Sequence, residues 1–173
     1  SKADGNKDMK VTLGGKGAGL AEMTNAGLPV PPGFIITTEA FRCREIIDNY
    51  PPAQQNFREQ LEKHIAEIEK ETGKTFGDPD NPLLFSVRSG SSISQPGMMD
   101  TFLNVGMNEE IAEGIKKRTG NAWFAWDSYR RFLQCYGMAS GLARDGSRST
   151  TGGVYAEGCV QLRCVKSLET RIG

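Results

Sequence analysis

The sequence predicts an α/β (α+β) domain in which a few short strands pack with helices. Apolar residues recur at intervals of four, four and three through Phe57, Leu61, Ile65 and Ile68, with Glu, Lys and Gln between them. This spacing is typical of one buried helical face. Two short apolar runs without that period, at 34–36 ("FII") and 83–87 ("LLFSV"), favour strands. A chain of 173 residues is long enough for one domain with a substantial core.

The first predicted helix follows the glycine-rich stretch "LGGKGAGLAEM" at 13–23. We expect this helix to begin where the glycines stop, and Gly27 to end it in a left-handed conformation. The prolines of "LPVPPG" exclude a helix from the next segment. The strand at 34–36 follows, and Thr38 is placed to cap a second helix.

The middle of the chain contains a long helix, a buried strand and a loop. Gly73 is predicted to end the helix that contains Phe57 to Ile68, and the turn cluster "GDPDNP" separates it from the strand at 83–87. The segment 89–106 is too rich in Gly, Ser and Pro for a helix. We expect an ordered loop there that leads to a short strand at 102–105.

Two more helices are predicted before the pattern changes. Asn108 can cap a helix that Gly120 ends. Residues 121–136 then carry five aromatic side chains near helical spacing, which we expect to face the core; a stacking platform for bases or sugars is the alternative. These aromatic residues are Trp123, Trp126, Tyr129, Phe132 and Tyr136. The basic residues Lys116, Lys117, Arg118, Arg130 and Arg131 are interpreted as solvated helix faces. Beyond Gly137, only "CVQLRCV" at 159–165 suggests a strand.

Composition disfavours several classes of protein. The 21 Lys and Arg residues balance 21 Asp and Glu residues, which argues against a dedicated nucleic-acid-binding protein. The sequence has no run of eighteen apolar residues and no signal-peptide pattern, so we expect no membrane segment and a cytoplasmic location, with an organelle still open. The four cysteines form no C-x-x-C pair, and the single histidine, His64, is interpreted as a helix-surface or packing residue.

The glycine-rich stretch leaves two interpretations open. It matches neither common phosphate-binding motif, because Lys16 is followed by Gly17 rather than Ser or Thr, and Leu20 stands where a dinucleotide fingerprint needs glycine. The backbone of Gly15 and Gly17 could nevertheless approach a phosphate closely, with Lys16 supplying positive charge. The alternative is a helix-start turn whose lysine faces water.

Arg88 is a second candidate anion contact, because we expect it at the carboxyl end of the buried strand. A guanidinium there suits a phosphate or a carboxylate. The alternative is a structural salt bridge, with Asp100 as a possible partner. The nearby serines are interpreted as loop hydrogen-bonding residues rather than nucleophiles, since no histidine partner is at hand. They are Ser86, Ser89, Ser91, Ser92 and Ser94.

The segment "PGMMDTF" offers a third set of contacts. Met98 and Met99 could flank an adenine, although filling a gap in the core is the alternative use of such a pair. Asp100 and Thr101 add polar groups beside them.

With these residues in place, the sequence resembles the pyruvate, phosphate dikinase family over residues 1–137. Four ordered blocks carry the resemblance: "LGGKGAGLAEM", "GLPVPPGFIITTEA", "GDPDNPLLFSVRSGSSISQPGMMDTFLNVGMNEE" and "TGNAWFAWDSYRRFLQCYG". The resemblance implies the first subdomain of an ATP-grasp nucleotide-binding domain. It also implies that Lys16 and Arg88, with Gly15, Gly17 and Ser89, bind ATP, and that Met98, Met99, Asp100 and Thr101 contact the nucleotide from their loop.

The same resemblance implies a reaction that the full chain performs. ATP, phosphate and pyruvate become AMP, diphosphate and phosphoenolpyruvate through a phosphohistidine carried elsewhere in a homodimeric protein. It places the catalytic residues and the magnesium ligands outside this chain, which we therefore expect to be inactive alone. Phosphoenolpyruvate synthase, glucan water dikinase and a non-enzymatic nucleotide-binding module are the alternatives.

Three features depart from the family pattern. Gly19 stands where asparagine is usual, and Gln95 stands where methionine is usual. Residues 138–173 do not resemble the family, and we expect a poorly ordered tail there.

Overall fold

The structure, a computed structural model, describes residues 3–90, 101–139 and 159–164. Within these ranges the chain forms six helices and a four-stranded antiparallel sheet, which confirms the predicted mixed α/β class. The helices are α1 (Lys10–Asn25), α2 (Thr38–Arg42), α3 (Arg44–Asn49), α4 (Pro51–Thr72), α5 (Glu109–Thr119) and α6 (Ala122–Ala139). The strands are β1 (Gly33–Ile36), β2 (Phe85–Gly90), β3 (Thr101–Val105) and β4 (Cys159–Cys164). In this part of the chain no helix is both long and apolar enough to cross a membrane.

The sheet has the order β1-β4-β2-β3. Strand β4 lies between β1 and β2, where the position of Leu162 is opposite both Phe34 and Val87. The strands predicted at 34–36, 102–105 and 159–165 are therefore confirmed. Of the predicted tail 138–173, the structure describes the end of α6 and β4, and the expectation of poor order there stays a prediction.

Strand β2 begins later than the sequence predicted. Leu83 and Leu84 are buried but precede the strand, because the Leu83 amide donates to the Thr75 carbonyl at 2.8 Å in a separate bridge. The strand continues to Gly90, so Arg88 lies within it rather than at its end. Ser86 is likewise a buried strand residue and not a loop residue.

Helices α4 and α1 cover opposite faces of the sheet. Phe85 and Val87 of β2 pack with Ile65 and Ile68 of α4 in one apolar cluster, which also includes Phe34 of β1 and Val105 of β3. Helix α1 packs against β1, β2 and β4. Both helices thus lie over the centre of the same sheet, which requires one on each face. Because side chains alternate along a strand, Ser86 and Arg88 point to the α1 face.

A second apolar cluster joins α5 and α6 to the start of β2. Leu84, Met107, Ile111, Ala112, Ile115 and Ala125 form its buried part. The Asn108 side chain accepts a hydrogen bond from the Ile111 amide at 2.8 Å, and Gly120 adopts a φ of 66° at the other end of α5. Both predicted ends of this helix are therefore confirmed.

The remaining predicted helix ends are confirmed at two glycines and wrong at Thr38. Gly27 and Gly73 have φ values of 78° and 67° and follow α1 and α4. The residue that precedes α2 is Thr37, whose side chain makes no capping hydrogen bond. Thr38 is instead the first residue of α2, and its hydroxyl bonds elsewhere.

His64 is half-buried on α4, as predicted for a packing residue. Its ring stacks on Phe34 with centroids 5.5 Å apart, and Nδ1 lies 2.9 Å from Glu67 Oε2. Its environment is that of a structural contact between α4 and β1.

Candidate functional site

The glycine-rich stretch is a kinked helix, so the expectation that α1 begins after the glycines is wrong. Helical backbone starts at Lys10, and the interruption is confined to Gly14, with φ 70° and ψ 163°. This conformation is essentially restricted to glycine. Residues 15–25 form a second helical segment, so Gly15, Lys16 and Gly17 occupy its first turn.

Small residues let this second segment lie close to the sheet. Gly14, Gly17, Ala18 and Ala21 are the buried residues of α1, and they recur at helical spacing. A face without large side chains permits close approach between backbones. Gly15 and Lys16 lie on the exposed side of the same turn.

Arg88 is brought to the same side of the molecule by β2. Its side chain is exposed, it faces the α1 side of the sheet, and it makes no ion pair with any residue that the structure describes. Thr101 of β3 lies directly opposite Arg88 in the register and is half-buried. Helix α1 packs against β2, so the elements that carry Lys16, Arg88 and Thr101 are neighbours.

Thr38 has a contact in this region that the sequence did not reveal. It is buried, and its hydroxyl donates to the Val11 carbonyl at 2.9 Å. Val11 lies in the helical turn before the Gly14 kink, so this bond fixes that turn to α2. A hydrogen bond between residues 27 positions apart leaves no local sequence signal.

Several predicted contacts lie outside the described residues. Met98, Met99 and Asp100 belong to 91–100, and so do Ser91, Ser92 and Ser94. Their suggested contacts, including a salt bridge between Asp100 and Arg88, stay predictions. Ser89 follows Arg88 in β2, and only its backbone position is described.

The aromatic stripe of α6 faces the core only in part. Tyr129 and Phe132 pack against the α5–α6 cluster, but Trp123, Trp126 and Tyr136 are exposed. The prediction of a core stripe is therefore wrong for these three residues, because α5 covers one side of the helix and the stripe extends beyond it.

Arg130 and Arg131 are exposed, as predicted, and they share one carboxylate. Both donate to Asp127 at 2.7 Å. The hydrogen bond from Arg130 lowers the pKa of Asp127 most, and desolvation opposes it. The hydrogen bond from Arg131 and the charges of both guanidinium groups add to the lowering, so the pKa lies below its ordinary value.

The site is suited to bind an anion. The first turn of a helix presents backbone amides and the positive end of the helix dipole. Lys16 and Arg88 add two cations, and the guanidinium can form paired hydrogen bonds with phosphate oxygens. Among residues 3–90, 101–139 and 159–164, no group of three His, Cys, Asp or Glu side chains is placed to hold a metal ion.

Comparison with known proteins gives a family for this chain. The model of the family described as "Pyruvate phosphate dikinase, AMP/ATP-binding domain" matches residues 10–49 and 53–138. Proteins named pyruvate, phosphate dikinase from Rickettsia felis and Clostridium symbiosum are similar, with 53% identity over 135 residues and 51% over 133 residues. These matches cover 78% and 77% of this chain.

A protein of the same name from Entamoeba histolytica is 50% identical over 134 residues. In all three cases the matched segment spans 15% of the length of the relative. The match to the family model contains Gly14, Lys16 and Arg88, and it ends at residue 138, within α6. The chain belongs to the pyruvate, phosphate dikinase family and represents part of its AMP/ATP-binding domain.

Proposed function

We propose that this chain binds the phosphate groups of ATP between the first turn after the Gly14 kink and Arg88 of β2. The observation that carries the proposal is the kink, because it starts a new helical turn on the sheet face to which Arg88 points. The name of the matching family supports a nucleotide as the ligand.

Each group has a distinct part in the proposed site. Gly15 and Gly17 lie in the first turn of a helix, where anions are stabilised by the helix dipole. Gly15 is exposed, whereas Gly17 is buried against the sheet, so an amide contact from Gly17 stays a prediction. Lys16 supplies a positive charge. Arg88 supplies a planar fork on a strand, and Thr101, opposite it in the register, would be a hydroxyl donor beside it. A contact from Ser89, of which only the backbone is described, stays a prediction.

Magnesium does not fit the described residues of this site. Lys16 and Arg88 are cations, and the glycines offer no side-chain ligand. We therefore assign no magnesium ligand here; the expectation that the ligands lie elsewhere in the full-length protein stays a prediction.

For the full-length protein we propose the dikinase reaction of the relatives. Fixed cations and amides on the phosphates would stabilise charge during phosphoryl transfer. The remaining polypeptide would carry the phosphohistidine, the sites for pyruvate and phosphate, and a homodimer contact. We place the full-length protein in the cytoplasm. A turnover assay of this 173-residue chain with pyruvate, ATP and phosphate should give no phosphoenolpyruvate, and product would contradict that assignment.

Titration with ATP tests the site directly. Lys16→Ala and Arg88→Ala should each weaken ATP binding about tenfold or more, the effect of losing one charged hydrogen bond. Isothermal titration calorimetry gives the affinity, and far-ultraviolet circular dichroism verifies that each variant is folded.

Lys63→Ala and Arg58→Ala are matched controls. Both residues are exposed on α4, which covers the opposite face of the sheet, so their loss should leave ATP affinity unchanged. If the unsubstituted chain bound no ATP, the nucleotide proposal would fall. Equal affinities for all five proteins would remove Lys16 and Arg88 from the site.

A further inference from the structure

Helix α6 has an apolar stripe that its neighbours in the described structure leave exposed. Its members are Trp126, which is 39% exposed, Leu133 at 48% and Tyr136 at 56%. Trp123 is 75% exposed but lies outside this stripe, beside Asp127 and Arg130 on the helix surface. On a helix, Trp126, Leu133 and Tyr136 fall on one side, next to Tyr129, which packs against the core. The stripe is thus a continuation of the buried face.

The chemistry of the stripe is that of a protein contact. Trp and Tyr are enriched among the residues that contribute most to binding in protein interfaces, and a polar rim typically surrounds them. The ion pairs of Asp127 with Arg130 and Arg131 lie along the other side of α6 and provide such a border. A stripe of this kind is much more apolar than the solvent-facing side of an ordinary surface helix.

Two observations favour one occupant for the stripe. The family match ends at residue 138, within the last turn of α6, while 85% of each relative lies outside the matched segment. A polypeptide that continues from the end of α6 is tethered beside the stripe, so its local concentration is high and favours it over a second copy. Helix α6 also packs against β3, and β3 is an edge strand of the described sheet.

We propose that the α6 stripe is the contact surface for the part of the polypeptide that follows the matched segment in the longer relatives. The occupant is an apolar surface of the same protein, and the contact is independent of nucleotide binding. Covering the stripe would reduce its exposed fractions from about one half to below one tenth, a change of about fivefold.

Hydroxyl-radical footprinting measures this change residue by residue. The test compares the free 173-residue chain with a chimera in which residues 10–138 replace the matched segment of the Rickettsia felis protein. Labelling of Trp126, Leu133 and Tyr136 should fall about fivefold in the chimera. Tyr50 is 57% exposed at the start of α4, and it is the internal control whose labelling should not change.

A second measurement does not require the chimera to fold. The free chain is mixed with the Rickettsia felis protein that lacks its matched segment, or with the intact protein as a control. Protection of the stripe should appear with the first and not with the second. Trp126→Ser with Leu133→Ser should abolish complex formation, whereas Ile46→Ser, at an apolar site on α3 that is 58% exposed, should not.

Either of two results would overturn the proposal. The first is equal labelling of the stripe in the free chain, the chimera and the mixture. The second is protection in the free chain that rises with its own concentration, since that result would identify a second copy as the occupant.

Discussion

Gly14 and Gly15 are adjacent, yet alanine at the two positions should change stability in opposite directions. Gly14 has φ 70° and ψ 163°, a conformation that costs an alanine about 1–3 kcal/mol. Gly15 has helical backbone, and an added Cβ would meet no atom within 4 Å. Gly15→Ala should therefore stabilise the fold by about 0.5–1 kcal/mol, because alanine loses less conformational entropy in a helix.

These free energies translate into measurable shifts of the unfolding midpoint. For a chain of this size, 1 kcal/mol corresponds to about 2–4 °C. Gly14→Ala should lower the midpoint by about 2–12 °C, and Gly15→Ala should raise it by about 1–4 °C. Thermal unfolding followed by circular dichroism gives both values.

The effect on ATP separates function from stability. Gly14→Ala should weaken ATP binding because the kink sets the direction of the following turn. Gly15→Ala should also weaken it, since its methyl group would occupy the exposed space that the phosphates approach. Gly19→Ala is the matched control one turn later: it is exposed with open space around it, so it should stabilise the helix without changing ATP affinity.

Two outcomes would refute this account. If Gly14→Ala and Gly15→Ala shifted the midpoint in the same direction, the kink would not be confined to Gly14. If Gly15→Ala and Gly19→Ala bound ATP equally well, the exposed side of the first turn would not be the phosphate side.

Three further predictions follow from single contacts. Thr38→Val should lose about 0.5–1.5 kcal/mol and weaken ATP binding, because the turn containing Val11 is no longer fixed, and Thr38→Ser should restore both in calorimetry and urea unfolding. Gly114→Ala should destabilise the protein by about 1–3 kcal/mol in urea despite the helix preference of alanine, since the new Cβ would overlap the Pro79 carbonyl oxygen. Asp127→Asn should lower the stability of the fold at pH 7. Because the native pKa of Asp127 is lowered, the carboxylate stabilises the fold fully above the unfolded pKa of about 3.9 and loses this effect as pH falls through the native pKa. The difference in stability between the variant and the unsubstituted protein should therefore disappear in acid.

Helices whose signals are local were predictable from the sequence. The apolar period of α4 is such a signal, and so are the glycines that follow α4 and α5. The carboxyl end of each of these helices depends on the backbone conformation of one glycine. Asn108 is predictable for the same reason, since a capping hydrogen bond reaches only three residues along the chain.

The glycine-rich helix could not be predicted in this way. Intrinsic propensity disfavours glycine in helices, and three of these glycines lie in the helical segment 15–25. Close packing on the sheet outweighs that preference, because a small-residue face can approach β1, β2 and β4. This tertiary effect has no local signature, and neither has the hydrogen bond of Thr38.

The α6 stripe shows a different limit of sequence patterns. Helical spacing correctly places the aromatic residues near one another, but it cannot show how wide a face the neighbouring elements cover. Helix α5 covers the side of Tyr129 and leaves Trp123 exposed. An apolar period therefore predicts a buried face only when the partner that buries it is present.

The two proposals together explain why this chain should bind ATP only weakly by itself. The proposed site would contact ATP from one sheet face only, through Gly15, Gly17, Lys16 and Arg88. Small-molecule sites usually bury most of the ligand surface. The stripe on α6 independently points to missing protein surface. If the remaining polypeptide both covers α6 and closes the nucleotide site, the chimera should bind ATP more tightly than the free chain, and the Arg88→Ala substitution should weaken binding in both.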